Sequence, residues 1–69
     1  MLKAMNDIIH FLSDYVRFAV PFGDVTEYDV RFAAKLLIDE KVFGGKADMR
    51  AEALRRHSII LPEWLFEKE

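Results

Sequence analysis

Two breaks in a helical pattern of apolar residues, Pro21 and the pair Gly44-Gly45, divide this sequence into three segments. Proline lacks the backbone N–H that a helix uses, and it pushes the preceding residue toward extended geometry. Paired glycines favour a left-handed cap at the end of a helix. The sequence therefore predicts three helices, over residues 2–20, 27–42 and about 47–57.

The first predicted helix is unusually wide on its apolar side. Between residues 2 and 20, polar side chains recur at three- and four-residue spacing and so form a single stripe along the helix. The apolar arc that remains covers roughly 200°, about twice what a surface helix needs to dock on one core. We therefore expect this helix to contact a second copy of the chain, and we predict a homodimer through it, with the segment around Trp64 as a further candidate contact.

The second helix has a clear start and an apolar surface almost all round. Thr26 followed by Asp29 is a weaker version of a capping box, so the helix is expected to begin directly after Thr26. Apolar residues on nearly every side are typical of a helix at the centre of a core. After the third helix, residues 58–61 are extended and apolar, and Pro62 can open a short helical turn because proline is tolerated at a first helical position.

The size of the chain limits how it can be stabilised. It has 69 residues, 52% of them apolar and none of them cysteine. A chain this short supports one core, so residues 1–69 are expected to form a single domain. Without disulfides, helix packing and self-association must supply the stability. We predict a small all-α domain of three helices with a short C-terminal helical turn, assembled as a homodimer.

Charge and hydropathy exclude several classes of protein. The net charge of −2 lacks the basic excess that is typical of nucleic-acid-binding domains. No stretch approaches the roughly 18 consecutive apolar residues of a membrane span, and Asp7 and His10 interrupt what would be the core of a signal peptide. We therefore expect a cytoplasmic protein that does not contact a membrane.

No pattern of catalytic, metal-binding or cofactor-binding residues stands out. His10 and His57 are the two histidines, and without cysteine a zinc site would need carboxylates brought beside both of them by the fold. Gly44-Gly45-Lys46 has neither the length nor the Ser or Thr of a phosphate-binding loop. We therefore expect no enzymatic activity, no bound metal and no cofactor.

Large apolar residues in the first helix and near the carboxy terminus have two interpretations. They can complete the core, which a small domain needs, or they can bind a partner, since aromatic residues are enriched at protein interfaces. In the second case the chain is a small non-enzymatic adaptor or inhibitor that binds itself and another protein. The candidate partner-binding residues are Phe11, Tyr15, Phe18, Trp64, Leu65 and Phe66.

The charges of the third helix indicate an alternative function, which is that of a helix-turn-helix-like regulator that binds nucleic acid. If it is exposed after the glycine turn, its cations could contact phosphates or bases as a recognition helix does. Asp48 and Glu52 dilute that positive charge. Alternatively, Arg50 and His57 lie at the edge of the core with their polar ends in solvent, and the other charges solvate the outer face. The candidate residues for this nucleic-acid-binding regulator are Lys46, Arg50, Arg55, Arg56 and His57.

Parts of the second and third segments loosely resemble the helix-turn-helix repeat of the RecX family of recombinase modulators. The likeness rests on residues 29–33, Gly44, residues 50–54 and Ile59. Ser58 stands where that family commonly has a glycine, and matching both halves requires a shift of one residue. No functional residue is therefore carried over from that family.

Overall fold

The structure, a computed structural model, describes residues 2–67. Within these residues the chain is helical and contains no strand. The elements are α1 (Leu2–Ser13), a short 3-10 turn (Phe22–Asp24), α2 (Glu27–Asp39), α3 (Lys46–His57) and the C-terminal turn (Glu63–Phe66). The predicted all-α fold, with three helices and a short helical turn near the carboxy terminus, is confirmed. None of the described helices is long and apolar enough to cross a membrane.

The first helix is shorter than predicted, because α1 ends at Ser13 rather than near residue 20. The Asp14 N–H bonds to the Phe11 carbonyl at 3.1 Å, and those of Tyr15 and Val16 both bond to the Leu12 carbonyl at 2.9 Å, after which the chain leaves the helix. Tyr15 packs edge-on against the ring of Phe43, 5.0 Å away between centroids. The polar residues after Ser13 keep a helical spacing, but the segment does not continue the helix, because Tyr15 packs against Phe43 instead.

This early end removes the basis on which a dimer through the first helix was predicted. Residues 14–20 no longer extend the apolar arc, and α1 buries Ile8, Ile9, Phe11 and Leu12 within the core of one chain. The arc is therefore largely covered by the chain itself, and α1 gives no support to association through it.

The start of α2 follows the prediction, and its end does not. Thr26 Oγ1 accepts a hydrogen bond from the Asp29 N–H at 3.3 Å, and the Asp29 carboxylate accepts one from the Thr26 N–H at 3.0 Å, which confirms the capping box. The helix ends at Asp39, and the left-handed residue of its cap is Lys41, with φ 63°, rather than a glycine. The N–H of Val42 reaches back to the Leu37 carbonyl at 2.9 Å, as in a Schellman cap.

Gly44 has a different role from the one predicted. Its N–H donates to the Asp48 carboxylate at 3.1 Å, and a Cβ at this position would lie 2.5 Å from the same oxygen. The missing side chain therefore lets Asp48 reach back over the start of α3. The predicted end of this helix, at His57, is confirmed.

The buried apolar side chains form one cluster to which every helix contributes. Beyond the α1 residues, its members are Val25, Val30, Ala33, Ala34, Leu37, Phe43, Met49, Ala53, Leu61 and Leu65. α2 packs against α1 and the C-terminal turn, and α1 packs against α3. The prediction that α2 is buried on all sides is wrong, because so small a domain supplies neighbours for one side of it only.

Candidate protein-interaction surfaces

The structure divides the predicted partner-binding residues between the core and its edge. Phe11 and Leu65 are buried, and their side chains contribute to the cluster that holds the helices together. The other four are half-buried and pack against that cluster: Tyr15, Phe18, Trp64 and Phe66. Phe18 and Trp64 line separate hollows, so the six residues do not form one surface.

A row of exposed apolar side chains lies on the outer face of α2. Tyr28, Phe32 and Leu36 are 61%, 57% and 37% exposed, and we call them the α2 row. Residues four apart differ by only about 40° around a helix, so the three share one face. Alongside them Lys35 and Asp39 form an ion pair at 2.9 Å, so the charges of the face balance.

The sequence pattern does not predict the α2 row, because apolar residues on nearly every side of a helix are typical of a helix at the centre of a core. In the sequence the row is visible only as three large apolar residues at four-residue spacing. The buried face carries large side chains as well, since Val30 and Leu37 lie there beside Ala33 and Ala34. The spacing alone therefore does not show which face packs inward.

A second apolar surface is the groove between α1, the start of α2 and the carboxy-terminal segment. It is open to solvent and has a volume of about 730 Å³. Its lining residues are Met5, Asp7, Ile8, Val25, Glu27, Ser58, Ile59, Ile60, Pro62 and Trp64. Both of its charged lining residues among those described are carboxylates, and we call it the acidic groove.

The backbone after α3 explains why Ile60 lies at the rim of this groove. Ser58 caps α3 in the left-handed conformation, with φ 58°, and the chain then leaves the helix and reaches Pro62 in extended geometry. Alternate residues of an extended segment point to opposite sides. Ile59 packs against the core and Leu61 is buried, so Ile60 points outward and is 86% exposed.

The cations of α3 are largely engaged by carboxylates of the chain. Arg50 contacts Glu63 at 2.8 Å, and its guanidinium lies over the ring of Phe66. Arg55 contacts Glu52 at 2.5 Å through one of two hydrogen bonds. The hydrogen bond from Arg50 lowers the pKa of Glu63, and that from Arg55 lowers the pKa of Glu52.

The last turn of α3 is held to the end of α1 by Asp14. His57 Nε2 lies 2.8 Å from Asp14 Oδ2, and Arg56 lies 3.6 Å from the same oxygen. Arg56 also contacts Glu52 at 3.4 Å and lies over the ring of Tyr15. Four of the five candidate residues for phosphate contact, Arg50, Arg55, Arg56 and His57, therefore have carboxylate partners within the chain. Lys46, the fifth, is exposed at the start of α3. These contacts favour the edge-of-core interpretation of α3.

Comparison with known proteins assigns the chain to no family. No protein-family model, curated protein or solved structure matches the chain. The loose likeness to the RecX family is therefore not supported by a match to any family model. Within the described part of the chain, no three His, Asp or Glu side chains lie together as metal ligands would.

Proposed function

We propose that this chain is a small non-enzymatic interaction protein, of the adaptor or inhibitor kind, which acts in the cytoplasm as a homodimer. The observation that carries the proposal is the α2 row. The opposite face of α2, with Val30 and Leu37, already completes the core of one chain, so the row is not needed for folding. Contiguous exposed apolar side chains mark surfaces that bind other proteins.

The chemistry of the row fits a second copy of the same chain. In a two-fold dimer the same patch meets itself. If two α2 helices lie antiparallel and cross at Phe32, each Phe32 faces its own copy, and Tyr28 of one chain faces Leu36 of the other. Lys35 and Asp39 give the face one charge of each sign, so two copies meet without a net repulsion.

The size of the domain also supports association. A chain of 69 residues buries a smaller fraction of its surface than a larger domain, and it has no disulfide to add stability. Covering three large side chains at an interface supplies further apolar burial. A homodimer through the α2 row is therefore favoured both by its surface and by the small size of its core.

Sedimentation velocity over a concentration series tests this proposal. We expect the wild type to be a dimer at micromolar concentration and Phe32→Asp to be a folded monomer, since the change places a charge at the centre of the interface. Leu54→Asp is the matched control, because Leu54 is 56% exposed on α3 and does not belong to the row. A wild type that stays monomeric at high micromolar concentration, or a dimeric Phe32→Asp, would overturn the proposal.

A further inference from the structure

We infer that the acidic groove binds a short segment of a different protein, one that combines large apolar side chains with neighbouring lysine or arginine. The inference goes beyond the homodimer, because the groove and the α2 row share no residue. It concerns what the interaction protein recognises rather than how two copies associate.

The first step is the apolar character of the groove. Ile8 and Val25 are buried and form its floor, while Met5, Ile59 and Trp64 are half-buried side chains of its walls. A volume of about 730 Å³ lies within the range of roughly 300–1,000 Å³ that is usual for ligand pockets. The groove can therefore take a few large side chains of a peptide.

The second step is the exposure of Ile60 at the rim. Burial of Leu61 on one side and packing of Ile59 on the other hold Ile60 in place, although its own side chain is almost fully in solvent. An apolar side chain fixed beside an apolar groove needs little further ordering when a partner covers it. Ile60 and Trp64 are therefore the anchor residues we assign to the groove.

The third step is the negative charge of the groove, which favours a partner segment that carries positive charge. Asp7 on α1 and Glu27 at the start of α2 line the groove, and its described lining residues include no lysine or arginine. In a two-fold dimer through this groove, a second copy would bring the same two carboxylates against them, and like charges at an interface are unfavourable. A basic segment of another protein would instead meet both carboxylates with opposite charge.

The experiment uses an array of peptides without tryptophan. Each peptide carries a pair of leucine or phenylalanine residues at a different spacing, and each pair is flanked in turn by lysine, serine or glutamate. Trp64 is the chain's single tryptophan and lines the groove, so its fluorescence reports occupancy there. We expect a saturable change with lysine-flanked peptides, a weaker one with serine and none with glutamate, and we expect added salt to reduce the advantage of lysine.

Variants then locate the binding surface. Ile60→Asp should weaken the best lysine-flanked peptide by about tenfold or more, as loss of an interface anchor does, whereas Leu54→Asp should bind as the wild type does. Asp7→Asn combined with Glu27→Gln should remove the preference for lysine over serine while the serine-flanked peptide still binds. Circular dichroism checks that each variant is folded.

Three results would overturn the inference: no peptide alters Trp64 fluorescence, glutamate-flanked peptides bind as well as lysine-flanked ones, or Ile60→Asp binds normally. Phe32→Asp separates the two proposals. This variant should keep full peptide binding, so a failure of the homodimer leaves the groove result unaffected, and a failure of the groove leaves the sedimentation result unaffected.

Discussion

The outer faces of α2 and α3 are exposed to the same solvent but carry different chemistry. On α2, Tyr28, Phe32 and Leu36 leave large apolar area uncovered. On α3, the exposed cations are matched by carboxylates, as Arg55 is by Glu52. Exposed ion pairs contribute little to stability and lose their hydration when they are covered, whereas exposed apolar side chains gain from burial. Of these two faces, the outer face of α2 therefore has more free energy to gain from association.

The largest effect is expected from replacing the whole α2 row. The triple substitution Tyr28→Ser, Phe32→Ser and Leu36→Ser should abolish the dimer and with it the dependence of the melting temperature on protein concentration. Association that is specific to the folded state raises the melting temperature as concentration rises. Differential scanning calorimetry of the wild type and the triple variant over a concentration series measures this.

A matched change on the outer face of α3 serves as the control for that experiment. Leu54→Ser should leave the concentration dependence of the wild type unchanged. If the triple variant keeps a melting temperature that rises with concentration, the dimer interface lies elsewhere and the contrast between α2 and α3 does not hold.

A smaller effect is expected when the contact between α1 and α3 is removed. Asp14→Asn takes away the carboxylate shared by His57 and Arg56, and we expect a loss of about 1 kcal/mol in the free energy of unfolding, since the pairs are half exposed to solvent. Asp39→Asn removes a single exposed pair with Lys35 and should cost about 0.3–0.5 kcal/mol. Urea unfolding of the two variants compares them, and equal losses would mean that Asp14 does no more than an ordinary surface pair.

A still smaller effect is expected in the dependence of stability on pH. Arg55 and Arg50 lower the pKa values of Glu52 and Glu63 below the ordinary value of 4.5. A carboxyl whose pKa is lowered by folding stabilises the fold above its unfolded pKa, and this contribution is lost as the pH falls through the lowered value. The urea midpoint of the wild type should therefore fall as the pH drops below about 4.5. The fall should be small, because solvent screens the charges of both pairs.

The double variant Glu52→Gln with Glu63→Gln should show a shallower fall over the same range of pH. Glu40→Gln, at the exposed cap of α2, is the matched control and should follow the wild type. Parallel curves for the wild type and the double variant would show that the α3 pairs do not contribute to stability.

The sequence predicted those parts of the fold that depend on neighbours in the chain. Thr26 and Asp29 are three residues apart and form their capping box from local geometry alone, and α3 ends where its sequence pattern ends. The end of α1 was not predictable in this way. It depends on contacts such as that between Asp14 and His57, which are 43 positions apart in the chain.

The candidate surfaces were predicted less well, for a related reason. Whether an aromatic side chain is core or surface depends on how many elements the domain can place around it. Phe11 is covered by such neighbours, whereas Phe32, equally large and equally apolar, lies on the side of α2 that nothing in the described chain covers. Composition and spacing treat the two alike, and only packing separates them.

The smallest expected effect concerns nucleic acid, and it tests α3 most directly. We expect the wild type not to co-sediment with duplex DNA even at low salt, because phosphate contacts by Arg55 and Arg56 would have to replace their contacts with Glu52 and Asp14. Arg55→Glu with Arg56→Glu should then behave as the wild type does, and so should Trp64→Ala. Co-sedimentation that disappears at moderate salt and is abolished by the double reversal, but not by Trp64→Ala, would instead make the outer face of α3 the functional one.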